Sequence, residues 1–371
     1  MEEARRGDGA PKRKTAERPR HRTSFSALFR LFAAALVFWA VFQLRGAGAF
    51  WLRSSNEMSR VVIVSDPRAL NDFQPAPEIV QRMVNRGIML LTGRTNVSSA
   101  WLSLVSTNDV IGLKIFSAAG PVSGTRPAVV RAVIRGLTGA GVPPNHIIIW
   151  DKRAENLRAA GFFQLGRELG VRVAGCVETG YDPTNFYLPD NPLVGRLVWG
   201  DLEFGKKGPG VGRKSFVAKI VSREMTKIIS LAPLLNNNQI GVCGHLYSVA
   251  LGSVDNTTRF EDDPDQLAVA VPEIYALSSV GDKVVLNITD ALLGQYEGGD
   301  KGLLQYSEVL NQLWFSRDPV ALDTLAVAEL ARARRERAAP EFNVHTRVYT
   351  NAHLLQLGED DPARIRVERV P

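Results

Sequence analysis

Cysteine and histidine are scarce in this chain. Its 371 residues include only two cysteines, Cys176 and Cys243, and five histidines. Two cysteines are too few for a disulfide framework, and neither a Cys-x-x-Cys pair nor a His-rich metal-ligand spacing is present. The two thiols could form one disulfide, but we favour two unpaired, buried thiols. No internal repeat is apparent either, so a repeat architecture is not indicated.

Excess positive charge is missing from most of the chain, although the formal net charge is +7. Residues 1–60 contain twelve Lys or Arg residues against five Asp or Glu residues, so this segment alone carries +7. The remaining residues therefore sum to about zero, and the high pI belongs to the N-terminal segment. A basic folded domain for nucleic acid is not supported, and we expect no nucleic-acid partner.

An apolar segment follows a basic N-terminal tail. Residues 1–23 contain Pro and Gly and lack apolar periodicity, so they are predicted to be disordered. Within residues 24–44, the apolar run Leu31–Phe42 is short for a transmembrane span of ~20 residues. Extending it back through Arg30, whose side chain could reach the interface, gives an adequate length. The segment is therefore predicted to insert into the membrane, as a transmembrane anchor or as a signal segment.

Three interpretations of this segment compete. The basic flank favours a signal anchor, which makes a single-pass membrane protein with its folded part outside the cytoplasm. A cleaved signal peptide is the alternative, because Ala47-Gly48-Ala49 fits the small-residue cleavage pattern, and cleavage near Ala49 would release a secreted or periplasmic protein. A buried core helix is disfavoured by the basic flank and the terminal position. We favour the uncleaved anchor slightly, with residues 45–59 as a linker.

The fold class follows from residues 109–151. Asp109–Phe116 and His146–Asp151 contain short apolar runs rich in β-branched residues, which is typical of strands buried on both faces of a sheet. Between them, apolar residues recur at helical spacing over Ala128–Ala140, with Thr125 in the position of an N-cap. This strand–helix–strand unit predicts an α/β fold, a mostly parallel sheet with helices on both faces.

The rest of the chain extends this pattern into one α/β domain over residues 60–371. Further strands are predicted at 60–65, 171–176, 227–233, 283–290, 313–316 and 364–370, and helices at 77–91, 264–277 and 319–337. Residues 179–212 are different, because they have little periodicity. We interpret them as a long excursion, and such loops are often functional.

Several stretches resemble the bacterial and archaeal family called domain of unknown function 362. They are Asp109-Val-Ile-Gly-Leu-Lys, Thr125-Arg-Pro-Ala-Val-Val, Gly141-Val-Pro-Pro-Asn-His-Ile-Ile-Ile-Trp-Asp, Gly241-Val, Gly252-Ser-Val-Asp-Asn-Thr-Thr-Arg-Phe, Ile288-Thr-Asp-Ala-Leu, Tyr296-Glu-Gly-Gly and Ser316-Arg-Asp-Pro-Val-Ala-Leu-Asp. The resemblance covers about residues 105–330 in collinear order. Some relatives carry iron–sulfur modules, but this chain lacks the cysteines for a cluster, so none is expected. The resemblance implies no defined activity.

The chain departs from the family pattern at ligand-like positions. Phe116 stands where the family usually has Asn after its Lys, and Leu235-Asn-Asn stands where it tends to have Lys-Asp-His. A later Leu-Lys-Asn appears as Leu246-Tyr-Ser. If the replaced groups form a site, this chain has altered or lost that site, and it is a divergent member.

Two groups of residues are candidates for anion binding. Lys114 lies near the carboxyl end of a predicted apolar strand, where open α/β sheets bind ligands. The start of the following helix offers backbone N–H groups, a helix dipole and a cation in Ser123, Gly124, Thr125 and Arg126. A snorkelling lysine and an ordinary capped helix are the structural alternatives.

Four aspartates are candidates for proton transfer or metal binding. Asp151 and Asp290 each follow an apolar strand immediately, so both carboxylates could reach one crevice and hold a divalent cation or act as acid and base. Each could instead cap the next turn. Asp318 precedes Pro319 and is predicted to be a helix N-cap, whereas Asp323 interrupts an apolar stripe and is either a metal ligand or structural.

Two functions are compatible with these residues. The first is a membrane-anchored enzyme that acts on an anionic small molecule, with Lys114, Asp151 and Asp290 as the catalytic groups. The second is a non-catalytic binding or assembly protein that keeps the fold around a degenerate site. The sequence leaves the substrate, the metal and the oligomeric state open.

Overall fold

The computed structural model describes residues 58–189, 212–339 and 344–371. The predicted tail 1–23, the apolar segment 24–44 and all but the last residues of the linker 45–59 lie outside these ranges, as do residues 190–211 of the excursion 179–212. Within the described ranges, none of the helices combines the length and the apolar character needed to cross a bilayer.

A nine-stranded, mostly parallel sheet forms the centre of the described residues. Its strands are β1 (Ser59–Ser65), β4 (Ile111–Ile115), β5 (Ile147–Asp151), β6 (Arg172–Gly175), β9 (Lys227–Asn237), β10 (Gly241–Val242), β11 (Val284–Gln295), β12 (Ser307–Ser316) and β13 (Ile365–Val370). They are arranged in the order β13-β1-β12-β11-β9-β4-β5-β6, and β10 pairs with β9. β12 is antiparallel to both of its neighbours, and the other pairs in the row are parallel. The described ranges also contain two two-stranded antiparallel sheets, β2 (Leu70–Asn71) with β3 (Gln74–Pro75) and β7 (Tyr181–Tyr187) with β8 (Ser215–Ala218).

Helices cover both faces of this sheet, so the predicted α/β class with helices on both sides is confirmed. One apolar layer contains α1 (Pro77–Thr92), α2 (Val97–Leu102), α4 (Pro127–Gly139), α5 (Ala154–Ala159) and α6 (Phe162–Leu169). The other contains α7 (Cys176–Thr179), α8 (His245–Ser253), α9 (Thr258–Glu261), α10 (Pro264–Tyr275), α11 (Pro319–Glu336) and α12 (Arg347–Leu354). A short helix, α3 (Gly120–Ser123), lies in the loop after β4.

The β4–α4–β5 crossover forms as its periodicity predicts, with one correction at the helix start. The N-cap of α4 is Arg126 rather than Thr125, and no side chain caps the helix there. The Thr125 hydroxyl instead donates to the carbonyl oxygen of Leu231 on β9 at 2.6 Å. The reason is tertiary: a neighbouring strand offers a buried acceptor, which local sequence cannot reveal.

Strand lengths differ from the predictions where pairing continues beyond the apolar run. β11 runs on to Gln295 because it pairs with β9, up to Leu235, past a register shift between Asp290 and Gly294. The last residues of β9, Asn236 and Asn237, pair with β10. β12 begins at Ser307 rather than at Leu313. At the start of the predicted excursion, Tyr181–Tyr187 forms a strand that pairs with Ser215–Ala218. These strands are set by partners distant in sequence.

The chain reverses its direction across the sheet between β4 and β9. β4, β5 and β6 follow one another to one side, and then β9 and β11 are added on the other side of β4. In open parallel sheets, a crevice forms outside the carboxyl ends of the strands at such a switch point. The carboxyl ends of β4, β5 and β9 are therefore the place to look for a site.

Close packing in the crossover gives a first prediction. A Cβ atom at Gly136 would lie 2.3 Å from Nε1 of the buried Trp101, whereas a Cβ atom at Gly139 in the same helix would meet nothing within 4 Å. We expect Gly136→Ala to lower the free energy of unfolding by about 1–3 kcal/mol. Gly139→Ala should raise it by up to about 1 kcal/mol, because alanine loses less backbone entropy in a helix. Urea unfolding of both variants measures the difference, and equal effects would contradict the packing.

Candidate functional site

Lys114 is buried at the switch point with all three of its ammonium hydrogens engaged. Its side chain is 1% exposed, and Nζ donates to Asp151 Oδ1 at 2.9 Å, to Ser248 Oγ at 2.9 Å and to the carbonyl oxygen of Ile115 at 2.5 Å. Nζ also lies 5.5 Å from the ring centroid of Trp150. A lysine has three donors and no acceptor, so no donor remains for a ligand while these contacts hold.

Asp151 ends β5 and accepts four hydrogen bonds. Oδ1 accepts from Lys114 Nζ and from the backbone N–H of Lys152 at 2.8 Å. Oδ2 accepts from the backbone N–H and the hydroxyl of Ser117 at 2.8 and 2.6 Å. Burial acts to raise the pKa of this carboxyl, but the Lys114 charge and the bonds from Lys114 and Ser117 outweigh it, so the pKa of Asp151 is lowered. Asp151 is therefore a carboxylate at neutral pH.

Arg126 and Asp290 form a second buried ion pair. Nη1 of Arg126 lies 2.7 Å from Oδ1 of Asp290, and the two side chains are 2% and 0% exposed. The backbone N–H of Arg126 donates to Oδ2 of the same carboxylate at 3.0 Å. The anion at the start of α4 in this structure is thus the protein's own Asp290, which occupies the place proposed for an external anion.

The two ion pairs hold the loop 116–126 at both ends. Ser117 at its start is bound to Asp151, and Arg126 at its end is bound to Asp290. In between, Thr125 and Phe116 exchange two hydrogen bonds, both of 2.9 Å. A Cβ atom at Gly124 would lie 2.5 and 2.6 Å from two carbonyl oxygens, so only glycine fits there. Ser123, which ends α3, is also buried.

A row of buried polar groups connects this site to α8. His245 on α8 bonds Ser230 on β9 at 2.8 Å through Nδ1 and Thr289 on β11 at 3.0 Å through Nε2. Burial lowers the pKa of His245 to about 3, so the ring is neutral at pH 7. One turn later, Ser248 reaches Lys114. The face of α8 that packs on the sheet here is therefore polar, with His245 and Ser248 one turn apart.

Asp323 and Asp318 fix helix starts in the same layer. Asp323 accepts from the backbone N–H groups of His245 and Leu246 at 2.7 and 2.9 Å, so it caps α8 from α11. Burial raises the pKa of Asp323 to about 7, although these two N–H bonds oppose the shift. Asp318 caps its own helix α11 through Ala321 N–H at 2.9 Å, as predicted from the sequence. Both side chains have structural partners.

The sequence did not single out the residues at the outer rim. Lys152 follows Asp151 directly, is about one-quarter exposed, bonds the Thr257 hydroxyl and lies 3.6 Å from Glu261 Oε1. Tyr247 on α8 is half-buried nearby, and burial together with Cys243, Glu261 and Asp300 raises its pKa well above the usual value. The sequence feature that could have pointed to Lys152 is its position directly after Asp151, a predicted site residue.

The candidate carboxylates do not converge on one point. Asp151 ends β5 and Asp290 lies on β11, three strands apart, which is about 14 Å at the ordinary strand spacing. Each carboxylate pairs with a different cation, Asp151 with Lys114 and Asp290 with Arg126, so the two form separate ion pairs in this structure. In the described ranges, the three-residue grouping with metal-ligand geometry is His353, Glu359 and Asp360, at and just after the carboxyl end of α12. Arg364 already pairs with Glu359 there at 3.3 Å.

Cys176 and Cys243 are both free and buried, as expected from their number. Burial raises the pKa of each thiol above its usual value. Neither thiol is therefore available as a thiolate nucleophile at neutral pH.

Comparison with known proteins assigns no family. No protein-family model matches the chain, and no curated protein matches it. Among solved structures, the chain is similar to the crystal structure of a Thermotoga maritima protein determined by a structural genomics consortium, with 10% sequence identity and a TM-score of 0.37. The match covers 72% of this chain and 60% of that protein, so the chain spans less than two thirds of its length. So weak a likeness assigns neither a fold nor a function.

The Lys114–Asp151 pair gives a second prediction. Lys114→Met should lower the free energy of unfolding by about 3–5 kcal/mol, because it leaves a buried carboxylate without its cation. The double variant, Lys114→Met with Asp151→Asn, should lose less stability than the two single variants lose together, and the difference should be about 0.5–3 kcal/mol. Denaturant unfolding of the four proteins measures this coupling. The exposed variant Arg366→Met is the control and should change stability by less than about 0.5 kcal/mol.

The same pair predicts a pH dependence. The folded pKa of Asp151 lies below its ordinary value of 3.8, so the ionised carboxylate stabilises the fold above that pH. The stability advantage of the wild type over Asp151→Asn should therefore be full at neutral pH and shrink as the pH falls below about 4. A constant difference across this range, or additive single variants, would show that the pair is not coupled.

Proposed function

We propose that this protein binds a small molecule with one anionic group at the carboxyl ends of β4, β5 and β9. The observation that carries the proposal is the buried Lys114 ammonium, held beside Asp151 at the switch point of the sheet. A fully buried lysine is uncommon in a soluble domain unless it is paired, and ligands of open α/β sheets bind at this edge. The loop 116–126 and the rim residue Lys152 would contact the ligand.

In the stronger form of this proposal, the protein is an enzyme and the bound molecule is its substrate. Asp151 would accept a proton from the ligand, because its carboxylate is ionised at neutral pH, and its lowered pKa restricts it to an acidic proton of the ligand. Lys114 would stabilise the negative charge that develops, once it exchanges one of its three acceptors for the ligand. Arg126 and Asp290 would act indirectly, by holding the end of the loop that begins at Ser117. A divalent cation at this site would need further oxygen ligands, from water or from the bound molecule, in addition to these carboxylates.

Binding without catalysis is the second candidate, and a specific observation favours it. Every hydrogen of the Lys114 ammonium already has a protein acceptor, and Asp151 already accepts four bonds. One of these partners, Ser248, stands where the resembled family has Asn. Such saturation is expected of a site that has become part of the core.

We also propose that the chain is a divergent member of the family of unknown function 362 and is anchored in a membrane through residues 24–44. The support for both is the sequence, namely the collinear motifs and the basic, apolar N-terminal segment. The folded domain would lie outside the cytoplasm, and cleavage near Ala49 would make it periplasmic or secreted instead.

A ligand screen tests the proposed site and is the third prediction. Small mono-anionic carboxylates, sulfate, phosphate and divalent cations are titrated while the melting temperature of the full chain is measured. A ligand that binds the folded protein raises the free energy of unfolding, by about 2.7 kcal/mol at 100 times Kd, and the melting temperature rises with it. The shift should be lost in Lys114→Met and reduced in the rim variant Lys152→Met.

The control for this screen is Arg366→Met, which should retain the full shift. Turnover of the bound compound would establish the enzyme, and its loss in Asp151→Asn at unchanged affinity would assign the proton acceptor. Stoichiometric binding without turnover would establish the second candidate. No shift with any compound, or a shift unaffected by Lys114→Met, would remove this site from consideration.

The anchor gives a fourth prediction. A carboxyl-terminal alkaline phosphatase fusion in a bacterial host should be active and should sediment with membranes, because the basic residues of 1–23 keep the tail in the cytoplasm. Replacing Leu36 and Val37 in the apolar run by Arg should release the fusion and abolish its activity. A soluble, active fusion that begins after Ala49 would instead establish the cleaved signal peptide.

A further inference from the structure

A groove of about 970 Å³ lies on the opposite side of the sheet from α8, at the carboxyl end of β1 and against α1. Its floor is apolar and consists of Val64, Met83, Met89 and Val97. Val64 and Met83 are 2% exposed, so the floor belongs to the rigid core. This volume is in the range of small-molecule sites, and an apolar floor with a few polar groups at the edge is their usual character.

Arginines line the edge of this groove. Arg82 and Arg86 lie one turn apart on α1 and both are exposed. In the described ranges neither has a carboxylate within ion-pair distance, although Arg68 and, more weakly, Arg82 lower the pKa of Asp66, which also lines the groove. Arg68 also lines the groove but is paired with Asp66 at 3.0 Å. Like charges at positions i and i+4 destabilise a helix slightly, so the two neighbouring guanidinium groups do not serve the stability of α1.

We propose that this groove binds a single-chain anionic amphiphile, a molecule with one alkyl chain and a carboxylate or phosphate head. The alkyl chain would lie on Met83, Met89 and Val97, and the head would bind Arg82 and Arg86. Guanidinium groups bind carboxylates and phosphates through two parallel hydrogen bonds, which suits a head group at the groove edge.

The two halves of the groove exclude simpler ligands. A free inorganic anion would contact the arginines and leave the apolar floor in water, whereas a neutral hydrocarbon would leave both guanidinium groups without an acceptor from the ligand. The groove is also separate from the Lys114 site, because β1 and β4 are four strands apart, about 19 Å across the sheet. Its occupant is therefore independent of the function proposed above.

Photo-crosslinking tests the groove in the full chain. A ten-carbon fatty acid with a diazirine at its far end is irradiated with the protein, and the modified peptide is identified by mass spectrometry. We expect labelling within Pro77–Thr92 or Val97–Leu102, and competition by decyl phosphate but not by inorganic phosphate. The double variant Arg82→Gln, Arg86→Gln should require at least tenfold more probe for equal labelling.

Two further variants separate the outcomes. Arg94→Gln, an exposed arginine just beyond α1, should leave labelling unchanged. Met89→Glu should abolish labelling at a temperature where circular dichroism shows that the variant is still folded, because Met89 packs against the core and the new charge will lower the stability. Equal labelling by an uncharged decyl probe would overturn the role of the arginines. Labelling elsewhere in the chain, or labelling that requires anionic lipid vesicles, would overturn the proposal in favour of another site or of a membrane surface.

Discussion

Two buried ion pairs hold together the carboxyl edge of the sheet. Removing a charge from water costs several kcal/mol even after relaxation, and the loss is offset only when nearly every donor and acceptor finds a partner. Lys114 with Asp151 meets this condition, because the ammonium has three acceptors and the carboxylate four donors. The loop 116–126 is fixed between this pair and the Arg126–Asp290 pair, so the shape of the edge depends on both.

Two glycines, which have no side chain, allow α8 to lie close enough to the sheet for Ser248 to reach Lys114. A Cβ atom at Gly252 would lie 2.3 Å from Cε of Lys114, and one at Gly244 would lie 2.0 Å from Oδ1 of Asp323. The first glycine gives the lysine room under the helix, and the second lets a carboxylate from α11 cap the helix start. The Ser248 hydroxyl can then reach Lys114, so the position of α8 is set by packing as much as by hydrogen bonds.

The sequence predicted what is local and missed what is distant. Apolar periodicity found β4, α4 and β5, and the rule that strand ends carry ligands singled out Lys114 and Asp151. It could not assign partners, because Arg126 and Asp290 are 164 residues apart and Thr125 and Leu231 are 106 apart. For the same reason it placed Asp151 and Asp290 in one crevice, whereas the strand order separates them.

The charge balance of the edge limits what it can bind. Because the pKa of Asp151 is lowered, its carboxylate is ionised at neutral pH and offsets the charge of Lys114. Lys152 is likewise balanced by Glu261 at 3.6 Å. A highly charged ligand such as a polyphosphate would meet carboxylates as well as ammonium groups. The edge is therefore better suited to a ligand with one anionic oxygen, which could replace the neutral Ser248 hydroxyl and gain a stronger, charge-assisted bond to Lys114.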